Sequence, residues 1–207
     1  MKHRGKWSHL IYVAILPAYL CLFFLAERLV VDHYWVSYLP LDDRIPFCEW
    51  FALPYVMWYP FLVIPGLIFL LKDGEAFRKY MLYIGLGFSS AVIFCLIFPN
   101  GQDLRPAVFP RENFCTEILR WVYSADTNTN VCPSMHVIGC YGVALAVHRA
   151  LPREKRGWMV PIVVLALLIC ASTVFVKQHS ILDIFVAIPW SLACGWIIYR
   201  PRRAKAK

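Results

Sequence analysis

His179 and Asp183 stand four residues apart at the end of the segment that runs from Ser172 to Asp183. On a helix that spacing puts both on one face, one turn apart. A carboxylate so placed accepts one imidazole N–H and fixes the tautomer. The other ring nitrogen is then free as a nucleophile. Ser172 opens the same segment, and Lys177 adds a cation just before His179. The plainer reading of the pair is a buried His–Asp hydrogen bond that joins two helices. Upstream lies Cys132-Pro133-Ser134-Met135-His136. Proline is favoured at the first helical position, so a helix is expected to begin here. The N–H groups of Ser134 and Met135 would then face outward and receive an anion. The Ser134 hydroxyl adds a donor, and His136 is of the residue type that titrates near neutral pH. A third segment, Leu104-Arg105-Pro106, carries a guanidinium fork that fits phosphate oxygens. Alone it says little, because an arginine in an outer loop is usually just solvated. Together the set holds a nucleophile, its orienter, a proton donor and anion clamps. That is the equipment of phosphoryl transfer, where positioning and charge stabilisation dominate.

The elements that must carry these residues are apolar. Of the 207 residues 60% are hydrophobic and only 16% charged, with a mean hydropathy of +0.57. A soluble domain carries about 25% charged residues. A disordered chain is poor in aromatics and rich in charge, which this one is not. A polytopic membrane protein remains. Six apolar segments are expected as spans, at about 9–31, 50–71, 80–98, 134–151, 159–176 and 180–199. Each is long enough to cross a ~30 Å hydrocarbon core. The expected fold class is therefore an all-α integral membrane protein, a six-transmembrane-helix bundle. With no internal repeat or linker, residues 1–207 read as one domain. The first span follows a basic start but is too long for a signal-peptide h-region, so it reads as a retained anchor.

The net charge of +8 would suit a nucleic-acid binder, but its distribution does not. The cations sit in short runs between spans, as topology signals do. With a cytoplasmic N-terminus, the inside segments hold Lys2, Arg4 and Lys6, then Lys72, Arg78 and Lys79, then Arg149, Arg153, Lys155 and Arg156, and finally the basic C-terminus. The acids on that side are Asp73, Glu75 and Glu154. Both termini are therefore expected in the cytoplasm. All three chemistry-bearing segments then fall on the extracytoplasmic face. Tyr34, Trp35, Tyr38, Trp50, Trp121, Tyr123 and Trp158 fall near expected interfaces, where amphipathic rings are favoured.

Cysteine usage is less informative. Cys21, Cys95, Cys140, Cys170 and Cys194 lie in spans and read as small apolar fillers. Cys48, Cys115 and Cys132 face outward, where a disulfide is allowed. Three is odd, and Cys115 with Cys132 is one pairing open to them beside free thiols. No Cys/His spacing suggests zinc.

The order RP, then PSxH, then S-x6-H-x3-D resembles the three-part signature of the type 2 phosphatidic acid phosphatase superfamily. The matching residues are Arg105 and Pro106, Pro133 to His136, and Ser172, His179 and Asp183. The resemblance covers about residues 76–195, the expected catalytic core. Its second and third motifs are specific in type, spacing and order; the first is not. It implies a six-helix membrane phosphatase or phosphotransferase acting on lipid phosphates. Two cations of the family pattern are missing. Phe98 stands where the first motif has lysine, and Thr173 where the third has arginine. Lys177 is the expected substitute for one. Such thinned motifs are similar to those of the inositol-phosphoceramide and sphingomyelin synthase branch, which transfers a headgroup to a lipid hydroxyl instead of to water.

The expected catalytic residues are His179 as nucleophile, Asp183 as its orienter and His136 as acid and base. Arg105, Ser134, Lys177 and Ser172 are the expected phosphate ligands. No cofactor, metal or nucleic acid is expected; the partner is a membrane lipid. Hydrolysis, headgroup transfer, and a non-enzymatic lipid binder or transporter stay open as readings at this point. The lipid and the oligomeric state are not legible.

Overall fold

The computed structural model describes residues 8–30 and 33–200. The remaining terminal residues, including the basic ones used for orientation within 1–6 and 202–207, lie outside the described residues. The chain is mostly helical. A 3-10 turn, Ser8–Ala14, runs into α1 (Ile15–Leu29). A two-residue strand β1 (Trp35–Val36) follows. The 3-10 turn Glu49–Phe51, α2 (Ala52–Val56) and α3 (Trp58–Lys72) form a second rod, and α4 (Gly74–Ile97) a third. Then come β2 (Asn100–Gly101), α5 (Phe114–Ala125) and α6 (Met135–Ala150). The 3-10 segment Arg153–Trp158 leads into α7 (Met159–Phe175), and α8 (Ile181–Tyr199) completes the described chain.

Five helical stretches are long and apolar enough to cross a membrane: Ser8–Leu29, Glu49–Lys72, Gly74–Ile97, Arg153–Phe175 and Ile181–Tyr199. They coincide with five of the six expected spans. The third starts earlier than the hydropathy pattern alone suggests, because the Asp73 carboxylate accepts from the N–H groups of Glu75 and Ala76 and caps α4 there. The remaining expected span, the fourth at 134–151, is α6, which has only 16 residues. At 1.5 Å per residue it is about 24 Å long, short of a ~30 Å core. Its surroundings account for this. α6 packs against α3, α4, α7 and α8 and sits in the middle of the bundle. The outer helices instead leave large apolar side chains exposed, such as Leu67, Leu167 and Trp196.

Close approach to α6 depends on small residues. A Cβ at Gly142 would stand 2.4 Å from the Tyr83 ring of α4, and one at Gly139 would stand 2.9 Å from Trp58 Nε1 of α3. The main core gathers Phe88, Tyr83, Ile138, Val143 and Ile169 around this helix. A second, smaller core lies at one end of the bundle, where Leu119 and Val122 of α5 meet Tyr55 of α2 and Val176. The fully buried Glu49 carboxylate holds that layer in place. It takes Arg111 at 2.7 and 3.0 Å and Asn113 at 3.2 Å. All eight cysteines are free. The Cys115–Cys132 pairing is thus not made: Cys115 is buried against Leu119 in the outer core, whereas Cys132 lies by Asn100 and Cys95.

Candidate active site

Four connections at one end of the bundle are stitched together above α6. β1 pairs in parallel with β2, Trp35 to Asn100 and Val36 to Gly101, and Ser37 N continues the ladder to Gly101 O. Asn100 then grips the next connection. Its amide oxygen accepts from Cys132 N at 2.8 Å and its amide nitrogen donates to Cys132 O at 3.1 Å. The loop after β1 ends on α8. Asp42, 1% exposed, accepts from Ser180 Oγ at 2.6 Å and from Ile181 N at 2.8 Å.

The α7–α8 corner builds the His–Asp pair. α7 closes with a Schellman motif: Gln178 N donates to Thr173 O and Lys177 N to Val174 O, with Lys177 at φ 56°. His179 follows the turn and precedes the cap, so it is not on the helix that carries Asp183. This corrects the expectation of one shared helix face. The contact survives because Asp183 folds back over the N-terminus of α8. Its Oδ2 accepts from Ser180 N at 3.0 Å and from His179 Nδ1 at 3.0 Å. Ser37 Oγ donates to Oδ1 at 2.5 Å. Asp183 is fully buried and satisfied, and His179 Nε2 is the ring nitrogen left over.

α6 begins two residues later than the proline signal suggests. Ser134 is the N-cap, Met135 the first helical residue, and Pro133 stands outside. Of the two N–H groups expected to be free, that of Ser134 donates to Asp183 O at 3.2 Å. His136 lies in the first turn, 7% exposed, with its ring centroid 5.5 Å from that of His179, edge to face. Tyr55 and Trp58 flank the His136 ring, at 4.6 and 4.4 Å between centroids. Two buried atoms here have no hydrogen-bond partner among the described residues, Ser134 Oγ and His136 Nε2. Orphaned buried polar atoms are rare and costly, so two together mark a place that receives polar groups from elsewhere.

Arg105 reaches the site indirectly. Its Nε donates to Gln178 Oε1 at 2.7 Å, next in sequence to His179. The terminal nitrogens donate to the carbonyls of Tyr123, Asp126 and Thr127. Four of its five donors are thereby used. Lys177 and Ser172 bond to no member of the histidine cluster. The Lys177 ammonium donates to the carbonyls of Asp42 and Ile45, and the Ser172 hydroxyl to Ile169 O within its own helix. Phe98 turns outward, 60% exposed, and Thr173 bonds back to Cys170 O. Neither missing cation is replaced at these positions.

Residues the motif pattern did not single out complete the site: Ser37 behind Asp183, Tyr55 and Trp58 around His136, Gln178 between Arg105 and His179, and two acids. Asp126 follows α5, and Gln178 Nε2 approaches its Oδ2 at 3.4 Å. Burial and the nearby Glu27 carboxylate push the Asp126 carboxyl up to about 6, against the opposing pull of His179 and Arg105. Glu27 reaches in from α1 to Thr127 Oγ1 and Asn130 Nδ2. Among the described residues, no three His, Cys, Asp or Glu side chains gather closely enough to hold a metal ion.

The family model described as the PAP2 superfamily matches residues 80–207, which include all three chemistry-bearing segments. No curated protein and no solved structure gave a match.

Proposed function

Because the chain belongs to the PAP2 superfamily, whose character is that of membrane phosphatases and phosphotransferases, we propose that it hydrolyses a lipid phosphate or diphosphate through a phosphohistidine. In this reading the bundle crosses the membrane six times, with α6 as the shielded inner span. Both termini are cytoplasmic and the site faces the extracytoplasmic side. One observation carries the reading. His136 and His179 meet edge to face at 5.5 Å, Asp183 holds Nδ1 of His179, and Ser134 Oγ and His136 Nε2 lack partners at the same place.

The His179 Nε2 lone pair attacks phosphorus as the bond to the ester oxygen breaks. That oxygen takes its proton from His136, and the lipid alcohol leaves. Asp183 fixes the tautomer of His179 and stabilises the positive ring that forms. The rings of Tyr55 and Trp58 hold the His136 ring in place. Water then attacks the phosphohistidine and gives a proton to His136. The P–N bond breaks, inorganic phosphate leaves, and the starting state is restored. Ser134 Oγ, the N-terminus of α6 and the remaining Arg105 N–H bind the equatorial oxygens. Lys177 and Ser172 were expected beside them. Their bonds support instead a structural role at the corner that presents His179.

Headgroup transfer to a lipid hydroxyl is the second reading. The scarcity of cations favours it, since Phe98, Thr173 and Lys177 supply none to the site and Asp126 adds an anion beside His179. A phosphodiester monoanion suits that balance better than a phosphomonoester dianion.

The test is to incubate purified protein with labelled lipid phosphates, with and without diacylglycerol or ceramide, in the presence of chelator. Released phosphate supports hydrolysis; a new labelled lipid that needs the second lipid supports transfer. Either way an acid-labile phosphoprotein should form and be lost in His179→Ala. If no lipid is turned over and no phosphoprotein forms, the chain is a lipid binder and the catalytic reading is wrong.

A further inference from the structure

We propose that Gln178 is the positioning residue of Arg105. Its amide stands between the guanidinium and the Asp126 carboxylate and keeps the two from pairing. The charge of Arg105 is thereby left to the substrate's phosphate. This rests on the phosphoryl-transfer reading of His179 and names what holds the cation beside it.

The argument starts from one buried side chain. Gln178 is 3% exposed and directly precedes His179. Its Oε1 accepts from Arg105 Nε at 2.7 Å. A guanidinium only donates, so the oxygen end of the amide is the end that faces Arg105. The nitrogen end meets Asp126 Oδ2 and the Tyr55 hydroxyl, both at 3.4 Å. The amide dipole thus lies with its negative end on the cation and its positive end on the acid. It favours both charges and cancels neither.

The alternative to this arrangement is an ion pair. Arg105 and Asp126 are close enough for one, since Arg105 Nη2 donates to the Asp126 carbonyl at 3.0 Å. Opposite charges this near attract more strongly at a protein surface than in water. Yet among the described residues no ion pair includes Arg105. Every acceptor that it uses is neutral: the Gln178 amide and the carbonyls of Tyr123, Asp126 and Thr127. The Tyr123 ring lies 4.6 Å from the guanidinium carbon and adds a further neutral support. The cation is therefore held firmly with its charge intact. That matters in this chain because Phe98 and Thr173 stand where two cations were expected, and the Lys177 ammonium bonds elsewhere. Gln178 also touches, through Tyr55, the ring that packs on His136. One amide so links the three chemistry-bearing segments.

The experiment uses the full chain in proteoliposomes with two labelled lipids, phosphatidate as a monoester and phosphatidylcholine as a diester. The readouts are kcat, KM, phosphohistidine formation and melting temperature. Gln178→Met keeps the length and removes the amide. It should raise KM about tenfold, the scale of a hydrogen bond to a charged group, with a much smaller change in kcat. Asp126→Asn in the same chain should restore KM, because no acid is left to pair with Arg105. In an Arg105→Ala chain Gln178→Met should add no further loss. Gln178→Glu is the second variant. It keeps the shape and an acceptor on Arg105 Nε, but sets a negative charge against it, so it should raise KM while melting stays near wild type. A role confined to folding predicts the reverse: KM spared in Gln178→Glu, and a loss in Gln178→Met that Asp126→Asn does not repair and that persists without Arg105. Any of those three results overturns the inference. Normal phosphohistidine formation with wild-type KM in both Gln178 variants defeats it and leaves the proposed function standing. No phosphohistidine in wild type with either lipid defeats both.

Discussion

Ser37 Oγ donates to Asp183 Oδ1 at 2.5 Å across 146 residues of sequence, from the end of the β1 strand to the first turn of α8. The other Asp183 oxygen holds His179 and the Ser180 N–H. The orienting carboxylate is thus fixed from both sides, and one of those sides belongs to the first outer loop.

Ser37→Ala leaves that fully buried oxygen one donor short. A lost partner of a buried acceptor costs about 1–3 kcal/mol. Part of this should appear in the rate, because Asp183 would orient His179 less well. We expect kcat to fall about tenfold, which is about 1.4 kcal/mol of barrier, with little change in KM. Ser37→Thr keeps the hydroxyl and should recover most of the rate. A fall in KM-linked binding with kcat unchanged would show that Ser37 only shapes the loop.

His136 is held between Tyr55 and Trp58, so its protonation should matter in proportion to how badly the leaving oxygen needs a proton. His136→Ala should slow release of a lipid alcohol by about 10²–10⁴-fold, the usual worth of a general acid. With a nitrophenyl phosphodiester the loss should be much smaller, because that oxygen leaves as a stable anion. Tyr55→Leu should show the same dependence on leaving group with smaller amplitude. Equal losses for both substrates would mean that His136 binds phosphate and does not donate the proton.

The acid beside His179 gives a pH dependence of definite sign. Asp126 is raised from 3.8 to about 6 by burial and by Glu27, while His179 and Arg105 pull it down. Tyr19, Tyr55 and Tyr59 also lie within electrostatic range of it. Between those two values the folded protein holds a proton that the unfolded chain has released. Stability should therefore fall as pH rises from about 4 to about 6, and then level. Asp126→Asn should flatten that part of the curve. Melting temperatures at half-unit steps, wild type against variant, measure it.

The parts of this site that were legible in the sequence are those fixed by near neighbours. Asp183 reaches His179 over four residues, and Ser134 and His136 share one helix start, so residue type and spacing were enough. Even there the backbone differed: Ser180 caps α8, which moves His179 off the helix and lets Asp183 fold back to it. Ser37 and Asp42 were not legible, because their partners lie 146 and 138 residues away and only the stitched outer loops bring them in. The surroundings of Lys177 were not legible for a different reason. Its charge suggested a phosphate ligand, but its left-handed backbone at the end of α7 carries the ammonium to the loop after β1. The five long spans followed from hydropathy. α6 was slightly too long in expectation because the expected span took in its two caps, Ser134 and Leu151.

Packing around α6 gives a prediction about the bundle itself. A Cβ at Gly142 would stand 2.4 Å from the Tyr83 ring, which is fully buried and donates to Ile138 O on the same helix. The ring cannot retreat without breaking that bond. Gly142→Ala should destabilise the fold by about 1–3 kcal/mol as an overpacked core position. Tyr83→Leu in the same chain should recover part of the loss by removing the ring. A single Gly142→Ala variant with unchanged melting would show that α4 and α6 can separate slightly.

Lys177 separates a structural from a catalytic reading of the third motif. Its side chain bonds the carbonyls of Asp42 and Ile45, and its backbone sits at φ 56°, where a residue with a Cβ is strained by roughly 1–2 kcal/mol. Lys177→Ala loses the bonds and keeps the strain; Lys177→Gly loses the bonds and relieves it. If the side chain serves the corner, the glycine variant should melt above the alanine variant. Hydrogen exchange in the 37–45 loop should quicken in both. KM should change by the same modest factor in the two variants and by no more than in Ser172→Ala. If Lys177 instead binds the substrate phosphate, KM should rise about tenfold in both with loop exchange unaltered, and high salt should weaken wild-type binding toward the level of the variants.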